Sequence, residues 1–220
     1  MLVRDDGIVI GQPAHAFVAG QIARAWAGDL QHRRELELAA IQHDIGWQEY
    51  DLTPRIGDDG RPVGFMQTPL DDHLEMWTGA PQRLFTQSRI AALCVSLHGT
   101  KLYGRRDLSR MAPGDAAKVR AYLDGQAALQ ADLRAQTGVT ADEAAAMQDV
   151  LFCWDWMALG LCLEWAPSAF RDELRLLADT VEPWPFAAET VTFGCEGWTW
   201  PGDERVELEW TLTRAPSGAP

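Results

Sequence analysis

The sequence lacks the features that would place a protein in a membrane, outside the cell or on nucleic acid. No apolar run approaches the roughly 20 residues that a membrane-spanning helix needs. The first residues, MLVRDDGIVI, lack the hydrophobic centre of a signal peptide. The four cysteines are scattered without a C-x-x-C pair, so they indicate small buried thiols and not disulfides. These absences predict a cytoplasmic protein with no membrane partner.

Positive charge is also scarce. The chain has 19 Lys and Arg against 32 Asp and Glu, which gives a net charge of -13, and no basic stripe compensates for it locally. Such a charge opposes attraction to a phosphate backbone, so nucleic acid is not expected as a partner. There is no G-x-S-x-G sequence, and the cysteines fall on apolar helical patterns, which argues against a serine or cysteine nucleophile.

The pattern of apolar residues predicts a mainly α protein. With 220 residues and 47% hydrophobic content, the chain is long enough to bury a full core, and we expect one domain over 1–220. Helical spacing and capping signals place helices at 13–27, 33–45, 71–77, 81–98, 113–136, 140–165 and 170–178. The helical core therefore covers about 13–180.

The two ends of the chain instead carry signals for β-structure. Polar and apolar residues alternate near the C-terminus, which predicts a small antiparallel β appendage at about 186–213. Residues 2–10 predict a short hairpin that turns at Asp6-Gly7 and could join this sheet. Residues 214–220 are expected to form a frayed tail. The sheet edge could support a homodimer.

The most informative stretch is LELAAIQHDIGW, at 36–47. Residues 36–43 follow the i, i+3, i+4, i+7 spacing of one helical face, so His43 lies on the core-facing side. Asp44 follows about 100° further round the helix, and a buried carboxylate needs a cation or a metal as its partner. Gly46 is predicted to end this helix, and 48–70 to form a loop that is a lid or one wall of a site.

Other polar residues also lie on predicted core faces. Together with the pair above, they form a set of four histidines and two aspartates: His15, His43, Asp44, His73, His98 and Asp155. Nitrogen and oxygen ligands without a cysteine suit divalent iron, manganese, zinc, cobalt or magnesium. The alternative is that these histidines and carboxylates simply satisfy one another in the core.

The order of these residues resembles the HD-domain superfamily of metal-dependent enzymes. The HD pair is preceded by one histidine and followed by two more and a late aspartate in an apolar helix, over roughly Pro13 to Trp165. The stretches QPAHAFVAGQIARAW, AAIQHDIGW, SLHG and PWPF also resemble a bacterial family without an assigned activity. The resemblance implies an HD-like helical core and two divalent ions. His15, His43, Asp44 and Asp155 would hold one, and Asp44 would bridge to a second held by His73 and His98.

The leading functional hypothesis is a phosphohydrolase acting on a small phosphorylated or nucleotide-like molecule. Two metals can stabilise both the attacking and the leaving oxygen, and cations in nearby loops can bind phosphate oxygens. We assign catalytic roles to Asp44, Lys101 and Arg105, and substrate binding to Arg55, Arg61 and Arg106. Many HD hydrolases have a lysine soon after the HD pair, whereas this chain has Ile45-Gly46-Trp47, which weakens the assignment.

Two other functions remain open at this point. One is an HD-type di-iron oxygenase, which would use the same six ligands and a lysine after the fourth histidine, here Lys101. The other is a binding module that kept the fold and lost the reaction. Metal identity separates the hydrolase from the oxygenase, and metal content that stays unchanged in His43→Ala and Asp44→Ala would favour the binding module.

Overall fold

The computed structural model describes residues 1–216 and confirms a mainly α fold with a β appendage. The helices are α1 (Gln12–Ala25), α2 (Arg33–Gln42), α3 (Gln48–Leu52), α4 (Leu70–Gly79), α5 (Arg89–Gly104), α6 (Pro113–Thr137) and α7 (Ala141–Cys162). Short 3-10 turns occur at Ile45–Trp47, Phe65–Gln67, Pro81–Leu84 and Leu108–Arg110. Within residues 1–216, no helix is long and apolar enough to cross a membrane.

Two buried helices, α5 and α7, form the centre of the helical core. Helix α7 packs on α1 and α5, and α5 also packs on α2 and α6. Helix α7 begins with a capping box, in which the Thr140 side chain accepts from the Glu143 N–H while the Glu143 carboxylate accepts from the Thr140 N–H. Ser88 caps α5 by accepting from the Ala91 N–H. Local capping thus fixes the starts of the two helices that contribute most to the core.

The β appendage contains strands from both ends of the chain. Its four-stranded antiparallel sheet has the order β1 (Leu2–Val3), β2 (Ile8–Ile10), β6 (Thr190–Thr199) and β7 (Arg205–Thr213). The hairpin predicted at 2–10 is confirmed, and Gly7 has the positive φ of +87° that such a turn requires. Buried Phe193 and Leu212 face the helical core, and β6 packs on α1. The last predicted tail residues, 217–220, lie outside the described residues.

The predicted helix at 170–178 is wrong. This segment belongs to a second antiparallel sheet of β3 (Ser168–Phe170), β4 (Leu174–Leu176) and β5 (Val181–Glu182). Leu174 and Leu176 are buried while Arg175 between them is exposed, which is the period of a strand. Arg171 and Asp172 have positive φ values of 54° and 57°, so the chain turns where a helix would continue.

Gly46, which was predicted to end a helix, and Gly99, which directly follows the helix predicted at 81–98, lie instead where neighbouring elements pack closely. Helix α2 ends before Gly46, at Gln42, and part of the predicted loop is helical in α3. Helix α5 continues past Gly99 to Gly104, and a Cβ at Gly99 would lie 2.3 Å from Tyr122 Oη. Both glycines are required by close packing of neighbouring elements rather than by helix termination.

Candidate metal centre

Five of the six predicted ligands converge on one small buried volume. His15 lies in the first turn of α1, His43 and Asp44 follow the last residue of α2, His98 lies in α5, and Asp155 is in the middle of α7. None of the five is more than 6% exposed. The packing of α1, α2, α5 and α7 therefore brings together residues that are up to 140 positions apart.

The two carboxylates are surrounded by imidazole nitrogens. His15 lies between them, with Nδ1 3.2 Å from Asp44 Oδ2 and Nε2 3.2 Å from Asp155 Oδ1. His43 Nε2 is 3.3 Å from the same two oxygens. His98 Nε2 is 3.7 Å from Asp155 Oδ2. Two overlapping sets, His15/His43/Asp44 and His43/His98/Asp155, each place their ligand atoms within 4.8 Å of one another, so these groups could hold a metal ion.

The environment of His43 fits a bound cation. Its Nδ1 lies 2.9 Å from the Ala40 carbonyl oxygen, which can only accept, so Nδ1 carries a proton. Its Nε2 is buried, faces two carboxylate oxygens and makes no hydrogen bond. A neutral imidazole would point a lone pair at two negative oxygens, which is repulsive. This nitrogen therefore needs a second proton or a metal ion between it and the carboxylates.

Charge balance leads to the same two alternatives. Burial alone would lower the pKa values of His15 and His43, but the negative charges of Asp44 and Asp155, together with their hydrogen bonds to His15, outweigh it and raise both. Burial would raise the pKa values of Asp44 and Asp155, but the same histidines hold both well below the usual range. Without metal, protonation of both imidazoles would neutralise the two carboxylates. A single divalent ion carries the same charge as those two protons.

His73, the sixth predicted ligand, does not join the cluster. Its Nε2 accepts a hydrogen bond from Trp77 Nε1 at 3.2 Å, and its Nδ1 is hydrogen-bonded to Tyr103 Oη. Burial and then the positive charge of Arg106 lower its pKa to about 4, so the ring is neutral. Unlike His15, whose partners are themselves predicted ligands, His73 is bonded through both nitrogens to side chains outside the cluster, which leaves neither nitrogen free for a second ion.

A cavity of about 330 Å³ lies against the cluster. Its polar wall includes His15, Asp44, His98 and Asp155, and its apolar wall includes the side chains of Trp47, Phe65, Leu70, Trp77, Leu102 and Leu159. Residues 65–70, at the end of the segment predicted to form a lid or wall, contribute several of these side chains. This volume is at the lower end of the range for ligand sites in proteins, so it suits a compact molecule.

Of the predicted loop cations, the structure places Arg106 on the cavity wall. Lys101 pairs with Asp149 and lies 5.0 Å above the Phe152 ring, and Arg105 lies 5.7 Å from the same ring. Arg55 pairs with Asp72 at 2.6 Å. Arg61 lines a separate cleft. This geometry gives no support to catalytic roles for Lys101 and Arg105 or to substrate binding by Arg55 and Arg61.

Two cavity residues, Tyr103 and Trp77, were not predicted from the sequence. Tyr103 was missed because the predicted helix stops at Gly99, four residues before it. Extending that helix would have placed Ala92, Ser96, Gly99 and Tyr103 on one face by the i, i+4, i+7, i+11 spacing. Trp77 lies four residues after His73 in α4, and this i, i+4 spacing, which places both side chains on one face, is the signal that could have indicated their contact.

Comparisons with known proteins give a family but no function. A family model described as a protein of unknown function (DUF3891) matches residues 1–200. No curated protein and no solved structure matches the chain.

Proposed function

This chain belongs to that family of unknown function, and from its buried cluster we propose that it is a metal-dependent hydrolase of the HD type acting on a small phosphorylated or nucleotide-like substrate. The observation that carries the proposal is the buried Nε2 of His43, which faces two carboxylates without a hydrogen bond. The order of residues along the chain supports it, since five of the six positions of the HD pattern meet in space.

His15, His43, Asp44 and Asp155 would hold the ion, and His98 could complete the set. When bound, a divalent ion supplies Lewis acidity and lowers the pKa of water to about 7 in favourable sites. The surrounding residues shield these side chains from bulk solvent, because all four are at least 94% buried. Arg106 provides a positive charge on the cavity wall for phosphate oxygens.

The geometry favours one ion over two. A second ion held by His73 and His98 would require His73 to give up its hydrogen bonds to Trp77 and Tyr103. The di-iron oxygenase depends on that second ion and on a lysine in the site, whereas Lys101 is paired with Asp149. A hydrolase with one ion is therefore the better-supported proposal.

Metal analysis and turnover test this function together. The protein is produced with iron, manganese, zinc, cobalt and magnesium supplied separately, and about one ion per chain is expected, with hydrolysis of p-nitrophenyl phosphate. His43→Ala and Asp44→Ala should lose the ion. His32→Asn is the matched control, since His32 lies outside the cluster with a φ of 54°, which asparagine tolerates.

The other hypotheses give different outcomes in the same experiment. Two irons with a mixed-valent electron paramagnetic resonance signal would favour the oxygenase. Metal content that is unchanged in His43→Ala and Asp44→Ala, or absent from the parent protein, would leave only a binding module.

Protein stripped of metal with a chelator is expected to lose stability as the pH rises above about 6.5. The raised pKa values of His15 and His43 mean that the stability they contribute is fully present below the ordinary histidine value of about 6.5 and is lost as the pH rises through the raised values. The lowered pKa values of Asp44 and Asp155 affect stability at acid pH instead, where the stability that these carboxylates contribute is lost only in strong acid. Urea unfolding from about pH 5 to about pH 9 measures this dependence.

Metal-loaded protein is the control for this prediction. A divalent ion takes the place of both imidazolium protons, so the loaded protein should lose less stability over the same range. If the urea midpoint of the metal-free protein stays constant or rises towards alkaline pH, that result would contradict the charge balance described for the cluster.

A further inference from the structure

Three hydrogen-bonded side chains, Trp77, His73 and Tyr103, line the cavity beside the metal centre. The Trp77 indole N–H can only donate, so His73 Nε2 must be the acceptor and carries no proton. The neutral ring then has its proton on Nδ1, which donates to Tyr103 Oη. Each donor in this series is fixed by the one before it.

These assignments determine where the Tyr103 hydroxyl can donate its proton. Its oxygen already accepts from His73, so its own proton must be donated elsewhere. Tyr103 is fully buried, and its hydroxyl donates to no acceptor within residues 1–216. The neighbouring Tyr122 hydroxyl is not the acceptor, because it also makes no hydrogen bond. A buried donor without a partner on a cavity wall indicates that the missing acceptor belongs to a ligand.

Arg106 adds a full positive charge next to this donor. Its guanidinium lies over the Tyr103 ring, with Cζ 4.6 Å from the ring centroid, and its backbone N–H donates to the Tyr103 carbonyl oxygen at 3.1 Å. Lys101 and Arg171 pair with Asp149, whereas Arg106 forms no salt bridge with any of the residues that the structure describes. The cavity wall thus offers a charged donor and a neutral donor close together.

We propose that Tyr103 and Arg106 bind the oxyanion group of a small substrate, with His73 as the positioning residue that directs the Tyr103 proton to it. A guanidinium and a hydroxyl donor together suit an oxygen anion, either a phosphate monoester or a carboxylate. The aromatic and aliphatic walls suit an apolar body attached to that anion. The inference rests on the proposed hydrolase function for its reaction, but the binding step can be measured independently.

Binding of two matched probes tests the subsite. Phenyl phosphate and benzoate differ only in their anionic group, and calorimetric titration of metal-loaded and chelated protein gives the affinity of each. Tyr103→Phe should weaken binding of the preferred probe about tenfold or more, as expected for loss of one hydrogen bond to a charged group. Arg106→Gln should weaken it at least as much. Both variants should keep the metal content of the parent protein.

Tyr122→Phe is the matched control, because it removes another buried tyrosine hydroxyl that does not line the cavity, and it should leave the affinity unchanged. Arg106 is exposed, so Arg106→Gln keeps the test valid even if Tyr103→Phe unfolds. A preference for phenyl phosphate identifies a phosphate monoester, and one for benzoate identifies a carboxylate. Parent protein that binds neither probe, or parent-like affinity in both Tyr103→Phe and Arg106→Gln, would overturn the subsite.

The same data separate this inference from the proposed function. If the parent protein retains no metal but Tyr103→Phe and Arg106→Gln still weaken binding, the data support the anion-binding subsite and contradict the proposed hydrolase function. If metal and turnover are present but these variants bind the probes like the parent, the data support the hydrolase function and contradict the anion-binding subsite.

The role of His73 has a direct spectroscopic signature. Long-range proton–nitrogen NMR should show a neutral ring protonated at Nδ1, assigned by the signal that disappears in His73→Asn. The Asn amide places an N–H near the position of Nδ1, so His73→Asn should retain probe affinity within about threefold, whereas His73→Leu should lose about as much as Tyr103→Phe. A ring protonated at Nε2, or equal losses in both variants, would show that His73 does not direct the hydroxyl.

Discussion

Replacing Asp155 with alanine is expected to abolish metal retention and to destabilise metal-free protein by about 3 kcal/mol. One carboxylate oxygen of Asp155 lies 3.2 Å from His15 and 3.3 Å from His43, and the other lies 3.7 Å from His98. Without this group, a single carboxylate remains to neutralise two buried imidazolium ions. The histidines can lose their protons, which keeps the cost near the lower end of the range of about 3–5 kcal/mol for breaking a buried pair. Elemental analysis and urea unfolding measure the two effects.

Asp149→Ala is the matched control on the same helix. The Asp149 side chain is 52% exposed and pairs with Lys101 and Arg171 at the surface. Exposed pairs contribute about 1 kcal/mol or less, so this variant should keep its metal and nearly all of its stability. Full metal occupancy in Asp155→Ala would contradict the ligand assignment, and an equal loss in Asp149→Ala would show a general effect on α7.

The sequence predicted the convergence of the cluster better than it predicted local structure. His15, His43, His98 and Asp155 each lie on an apolar helical face, and a polar group there is tolerated only where it meets a partner. That rule is independent of the exact helix ends, so errors at Gly46 and Gly99 did not affect it. The role of these residues as ligands stays a prediction.

The partners of His73 could not be predicted in the same way. His73 also lies on a helix that contacts the core, and its spacing does not differ from that of the other histidines. Its hydrogen bond with Trp77 is a local i, i+4 contact within α4, but its hydrogen bond with Tyr103 depends on how α4 packs against α5, which is a tertiary property. The pattern of one chain therefore distinguishes a polar residue that faces the core from a surface residue, but not a metal ligand from a hydrogen-bonded neighbour.

The mistaken helix at 170–178 has a similar cause. Phe170, Leu174 and Leu177 fit a helical stripe, whereas Leu174 and Leu176 fit a short strand, and periodicity alone does not separate the two for a short apolar segment. Pairing of β4 with β3 and β5 decides it. Leu176 then packs against α7 at Gly160, where a Cβ would lie 2.6 Å from its Cδ2.

Gly46→Ala is expected to destabilise the protein by about 2–3 kcal/mol and to weaken metal binding, although Gly46 holds no ligand. A Cβ at this position would lie 2.4 Å from the backbone carbonyl oxygen of Met76, so α4 and the turn after Asp44 would have to separate. Overpacking against backbone cannot be relieved by a side-chain rotation, and the movement would displace Asp44, two residues away.

Gly79→Ala on α4 is the matched control, since its Cβ would meet nothing within 4 Å. That variant should be neutral or slightly stabilised. Urea unfolding and metal titration of both variants measure the difference. Parent-like stability and metal affinity in Gly46→Ala would mean that α4 does not fix the position of Asp44.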